Sequence, residues 1–136
     1  MSLATDYGKG QNILELSGEA DKDLSDYQWC LVSWAANSSG RVEVTSPSGQ
    51  GVICAGILQN DDADADGEMC SIRVLGTTKA KTSETFNTGV ELTASGTAGT
   101  VEEAASGDYV QAIALQASTE AGELVWVQVI SPYQKN

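Results

Sequence analysis

From residue 27 onward the chain breaks into short apolar runs separated by turn signals, at roughly the 8–12-residue spacing of β-sandwiches and barrels. The interruptions are Asn37-Ser38-Ser39-Gly40, Ser46-Pro47-Ser48-Gly49, Ser95-Gly96 and Ser106-Gly107-Asp108, residues that tolerate or impose tight backbone reversals. No stretch sustains a helical period long enough to compete. The runs predict strands over residues 27–34, 41–45, 52–59, 68–78, 89–93, 100–103, 109–116 and 123–130. Composition agrees: 41% hydrophobic residues and 14 glycines, with one Phe, four Tyr and three Trp, suit short strands and tight turns. At 136 residues the chain is long enough for one domain with a real core.

The expected boundary falls after residue 26. Residues 1–11 are polar and glycine-containing and read as a flexible arm. Ile13-Leu14-Glu15-Leu16 reads as a short strand, and residues 18–26 as an acidic connection with room for one helical turn. Residues 1–26 are therefore an arm plus connection, and residues 27–136 a single β-domain.

Two halves of that domain resemble each other. Val42-Glu43-Val44-Thr45 recurs as Val90-Glu91-Leu92-Thr93, and Ile57-Leu58-Gln59 more loosely as Ala114-Leu115-Gln116. Gly67-Glu68-Met69 returns as Gly122-Glu123-Leu124. In the strands that follow, Cys70, Ile72 and Val74 share one face, as do Val125, Val127 and Val129, because alternate strand residues point the same way. The expectation is a small β-barrel or β-tulip-like domain of two similar units that bury their apolar faces against each other.

Charge narrows the partners. A net charge of −12 leaves too few Lys and Arg to displace counterions from phosphates, so no nucleic-acid partner is expected. An anionic membrane is disfavoured for the same reason, and no apolar run approaches the ~20 residues of a membrane helix. The first ten residues lack a secretory pattern, so synthesis in the cytoplasm is expected. Cys30, Cys54 and Cys70 are odd in number, without C-x-x-C spacing, and read as small buried hydrophobes.

Signs of chemistry are sparse. With no histidine, the commonest general base and the Ser-His and Cys-His nucleophile pairs are missing. Gly49-Gln50-Gly51 lacks the third glycine and following helix of a dinucleotide site. No catalytic residues and no cofactor are expected. Asp62-Ala63-Asp64-Ala65-Asp66-Gly67 matches the opening of a calcium loop, which makes Asp62, Asp64 and Asp66 candidate metal ligands. The twelfth position is Arg73 where a bidentate Glu belongs, so a solvated acidic turn is the preferred reading. Trp29 and Trp34, an odd number of positions apart, are expected on opposite faces of one strand, at most one of them in the core. With Trp126 they would otherwise form a sugar platform.

One resemblance adds to this. Gly51-Val52-Ile53-Cys54-Ala55-Gly56-Ile57-Leu58, an Asp/Ala turn ending Gly67-Glu68, and Ser71-Ile72-Arg73-Val74-Leu75-Gly76 resemble the capsid decoration (cement) proteins of tailed bacteriophages. So do Ser106-Gly107-Asp108-Tyr109-Val110-Gln111-Ala112-Ile113-Ala114-Leu115 and the Ala121-Gly122-Glu123 turn with its closing Val-rich strand. The pattern spans roughly residues 27–130 and is one of Gly, Ala, Asp and Val, not a catalytic signature. The acidic insert 61–66 and the segment up to residue 26 depart from the shortest members.

What the resemblance implies is a homotrimer on the outer capsid surface of the virion, head-stabilising by bridging neighbouring major capsid protein subunits. The arm would then engage the capsid through Leu3, Tyr7, Ile13, Leu14 and Leu16, with a strand closing the barrel as the alternative for the same residues. A calcium- or carbohydrate-dependent adhesion module of a tail fibre or cell surface is the rival from another class.

Overall fold

Alternation of inward and outward residues is plainest in the strand Met69–Lys81, where Cys70, Ile72, Thr78 and Ala80 are buried while Met69, Lys79 and Lys81 are exposed. The structure, a computed structural model, describes residues 13–37 and 40–136. Its strands are β1 (Leu14–Ala20), β2 (Leu31–Ala35), β3 (Glu43–Thr45), β4 (Gly56–Leu58), β5 (Met69–Lys81), β6 (Glu91–Ala94), β7 (Val101–Glu103), β8 (Tyr109–Ala114) and β9 (Leu124–Gln134). Among the described residues there is no α-helix, only a 3₁₀ turn over Ser25–Tyr27, which sits in the acidic connection where one helical turn was expected. All eight expected strands are present. Most are shorter than their apolar runs, whereas β5 and β9 run past their expected ends at residues 78 and 130.

The first five strands close into a barrel. β1 pairs with β3 in parallel and with β5 antiparallel, and β3–β2, β2–β4 and β4–β5 are antiparallel. A barrel has no free sheet edge along its closed ring. The remaining strands repeat the plan with β5 reused as the first stave. β5 pairs with β9, β9 with β8, β8 with β6 and β6 with β7, all antiparallel. A single parallel bridge, Thr82 to Val101, returns β7 to the end of β5.

This is a repeat at the level of individual pairs. Leu16 opposite Ile72 in the first ring corresponds to Thr78 opposite Val127 in the second, and Ala20 opposite Val44 to Thr82 opposite Val101. The hydrogen bonds repeat too. Ala20 N donates to Glu68 O and Ala20 O accepts from Gly67 N (both 2.8 Å), while Thr82 N donates to Glu123 O at 2.9 Å and Thr82 O accepts from Gly122 N at 2.7 Å. The Gly-Glu correspondence read from sequence is therefore structural. The match of residues 42–45 with 90–93 is not: Val44 of β3 corresponds to Val101 of β7, and β6 corresponds to β2. The similar Val-Glu-Val-Thr and Val-Glu-Leu-Thr runs lie on staves that do not correspond. Likewise Leu58, not Ile57, answers to Ala114.

β5 changes rings at Gly76. Up to Leu75 it pairs with β1, and from Gly76 with β9. Gly76 has φ +110°, and a Cβ there would lie 2.9 Å from Ile13 Cγ1, so the switch demands glycine.

Two apolar cores result, not one shared interior. Ala20, Leu24, Val32, Val44, Leu58, Ala63, Cys70 and Ile72 fill the first barrel. The second core holds Leu92, Ala94, Val101, Ala112, Ala114, Val125, Val127 and Val129, and it also takes Leu31, Cys54 and Ile57 from the outer face of the first barrel. Strand alternation explains this: in β2, Val32 points inward and Leu31 outward, so one short strand feeds both cores. β1 is part of this packing, so the β-domain begins before the boundary drawn at residue 26.

Candidate interaction surfaces

At one end of the first barrel the inward row ends in side chains that the described residues leave half-exposed. Leu14, Leu16, Trp34, Ile53, Val74 and Leu75 line a hollow of about 510 Å³. Leu16 is 43% and Trp34 42% exposed. Trp34 can lie there because Gly18 leaves room beneath it: a Cβ on Gly18 would stand 2.7 Å from Val44 Cγ2 and 3.4 Å from Trp34 Cζ3. Among the described residues no charged side chain lines the hollow, and single exposed apolar residues are common where contiguous ones are not.

The expected arm anchors divide between strand and undescribed segment. Leu14 and Leu16 sit in β1 and line the mouth, and Ile13, also half-exposed, leads into it against Gly76. Leu3 and Tyr7 lie outside the described residues. Sequence reasoning missed Ile53, Val74 and Leu75 as partners of this surface. The available signal was that 51–58, unlike most of this acidic chain, holds no charged residue.

Asp62, Asp64 and Asp66 are exposed on the β4–β5 connection. Asp62 Oδ1 accepts from Asn60 Nδ2 at 2.7 Å, and Asn60 in turn bonds Met69 O and Ser71 N. Buried Ala63 pins the loop by accepting from Leu24 N at 2.8 Å. Among the described residues no three Asp, Glu, Cys or His side chains converge as a metal set. Arg73, at the twelfth loop position, is turned away into an ion pair with Glu15. The equivalent loop keeps the same amide lock, Gln116 Oε1 accepting from Trp126 N at 2.8 Å.

The tryptophans form no common platform with one strand's faces. Trp29 lies before β2 in a turn, with φ +67°, where its N–H donates to Leu58 O at 2.8 Å and its carbonyl accepts from Lys81 N at 2.9 Å. The opposite-faces expectation therefore fails: the strand starts at Leu31, after Trp29. Trp126 is exposed on β9, with Lys79 Nζ 5.7 Å from its ring centroid. Trp29 borders a second hollow of about 530 Å³ with Asp26, Gln28 and Lys81. All three cysteines are buried free thiols, and burial pushes each up to about 11, which makes them poor nucleophiles at neutral pH.

A closed five-stranded β-barrel with further strands built on its longest stave is thus the class of fold. No protein-family model matches the chain, and no curated protein does. Among solved structures it is similar to the N base of the head fibre gp8.5 in bacteriophage phi29, with a TM-score of 0.65 and 16% sequence identity. That similarity covers 87% of this chain and 94% of the other. At this identity it shows a shared fold.

Proposed function

We propose that this chain is a structural protein of a phage virion, bound to the outer capsid surface as a homotrimer and stabilising neighbouring major capsid protein subunits. The observation that carries the reading is the fold it shares, over nearly the whole of both chains, with the base of a phage head fibre. Two features support it. The described strands build a rigid scaffold in which every stave of the first barrel is paired on both sides, and the molecule carries an exposed apolar mouth on an otherwise acidic body. Bridging capsid subunits needs rigidity and several simultaneous contacts, with no reacting group. The reading therefore assigns no enzymatic activity, nucleic-acid partner or membrane partner.

The test is to add the purified protein to expanded heads lacking it and to measure co-sedimentation and the temperature of DNA release. Saturable binding in multiples of three per site and a raised release temperature are expected. Absence of the chain from purified virions by mass spectrometry, together with no binding to heads, would refute the proposal. Melting that depends on calcium or retention on glycans would instead favour an adhesion module.

A further inference from the structure

The two rings match pair for pair through Leu16 and Trp34, so these positions at the open mouth of the first barrel have counterparts in the second. Leu16 corresponds to Thr78 and Trp34 to Ala94. The counterparts are covered: Thr78 is 3% exposed and Ala94 0%. What covers them is the first barrel itself. Gly51 N donates to Ala94 O and Tyr109 N to Gly51 O, both at 2.9 Å, while Thr78 Oγ1 donates to Gln59 Oε1 at 3.1 Å. Leu31, Cys54 and Ile57 complete the seal from the barrel's outer face. The described residues therefore form one sealed mouth, made of small residues beneath an apolar cover, and one open mouth, made of large apolar residues.

We propose that the open mouth is the surface through which copies of this chain associate, mouth facing mouth around a rotation axis. The proposal rests on the homotrimer reading above and assigns its interface. Charge selects this surface. Two bodies of net charge −12 repel wherever carboxylates meet, and the mouth's lining carries none. Chemistry also excludes the obvious alternative, a head-to-tail stack in which the second ring of one copy plugs the first barrel of the next. The residue of the second ring that corresponds to the apolar plug Leu31 is Glu91. Its carboxylate accepts from the Tyr133 hydroxyl and pairs with Lys135 Nζ at 3.1 Å. Burying that ion pair in an apolar mouth would cost desolvation that the mouth's lining offers no charged group to offset. A stack of second ring on first barrel with no closing rotation would propagate a filament, whereas mouths gathered on a rotation axis close.

Sedimentation and light scattering of the full chain test this. Wild-type protein is expected at one fixed mass of three copies. Leu16→Glu, which places a carboxylate in the mouth at a half-exposed position, is expected to weaken association by a factor on the order of 100 while leaving the circular dichroism unchanged. Leu115→Glu, equally exposed on the second ring, is expected to leave the mass unaltered. Retention of the trimer by Leu16→Glu, loss of it in Leu115→Glu, or mass growing without limit would each overturn the assignment. A wild-type monomer would overturn it too, while binding of that monomer to heads would leave the capsid role standing. A monomer that associates only once residues 1–12 are removed would give the mouth to that segment. One whose head binding is abolished by Leu16→Glu would give it to the capsid. Both results refute association through the mouth.

Discussion

Gly56 and Ala112 occupy the same place in the two rings, Gly56 opposite Val32 and Ala112 opposite Leu92, yet the structure makes Gly56→Ala destabilising. Two effects oppose each other. Gly56 carries no positive φ, so alanine would restrict the unfolded chain and contribute about 0.4–1 kcal/mol of stability. Against this, a Cβ at Gly56 would stand 2.3 Å from Arg73 O and 2.9 Å from Ile72 Cγ2. The near atom is backbone, so β4 itself must move away from β5. Overpacking of this kind costs about 1–3 kcal/mol, and disturbing a ladder hydrogen bond such as Gln59 N to Ser71 O (2.8 Å) adds about 1 kcal/mol. The net expectation is a loss of about 1–3.5 kcal/mol. For a chain of 136 residues, at about 3–4 °C per kcal/mol, Tm falls by roughly 3–14 °C. Thermal unfolding followed by circular dichroism measures it. An unchanged or higher Tm would show that the two strands are not held at the separation described.

Other expectations follow from the same geometry. Leu58→Ala in the first core and Leu92→Ala in the second, both fully buried, should each cost about 2–5 kcal/mol, and calorimetry should show one shifted transition for each, since β5 belongs to both rings. The three thiols should resist a disulfide reagent at pH 8 in native protein and all react in denaturant. Because their folded values lie near 11 and above the ordinary 9.0, stability is complete below pH 9 and falls as pH rises toward 11, which denaturant titrations at stepped pH would resolve. Glu91 is held below its ordinary 4.5 chiefly by the Tyr133 hydroxyl and then by Lys135. Its contribution is therefore present above that value and fades as pH falls through the lowered one. Tyr133→Phe should flatten this acid limb in the same titrations, and an unaltered limb would remove Glu91 from the account.

The strands were legible because the period-2 alternation and the glycine-rich turns are written locally, as in Cys70, Ile72 and the Gly67-Glu68 turn. Strand order was not, since nothing local says that β1 joins β3 in parallel or that β5 serves two rings. The repeat was visible only where both copies kept the same turn. Elsewhere a short V-E-β motif misled, because Val, Glu and Thr suit any half-exposed strand. The mouth was half legible: Leu14 and Leu16 were singled out, but as part of an arm. Their cluster with Trp34, Ile53 and Leu75 depends on barrel closure, which brings together residues from four distant segments. Trp29 was misplaced because its left-handed backbone gives no sign in a bulky aromatic residue.

Duplication with a shared stave has a consequence for what each ring can do. By lending Leu31, Cys54 and Ile57 to the neighbouring core, the first barrel gives up its outer face but gains a fixed orientation relative to the second ring. The second ring, sealed by that face, can accept small residues such as Thr78 and Ala94 at its mouth. Among the described residues the first has no such cover, and there the corresponding positions hold Leu16 and Trp34. Large apolar groups left in water at the end of a closed barrel give nothing to the monomer: each forgoes part of the ~1.5–3 kcal/mol available on full burial. Association through the interface proposed above would recover part of that burial at the end where the two rings differ.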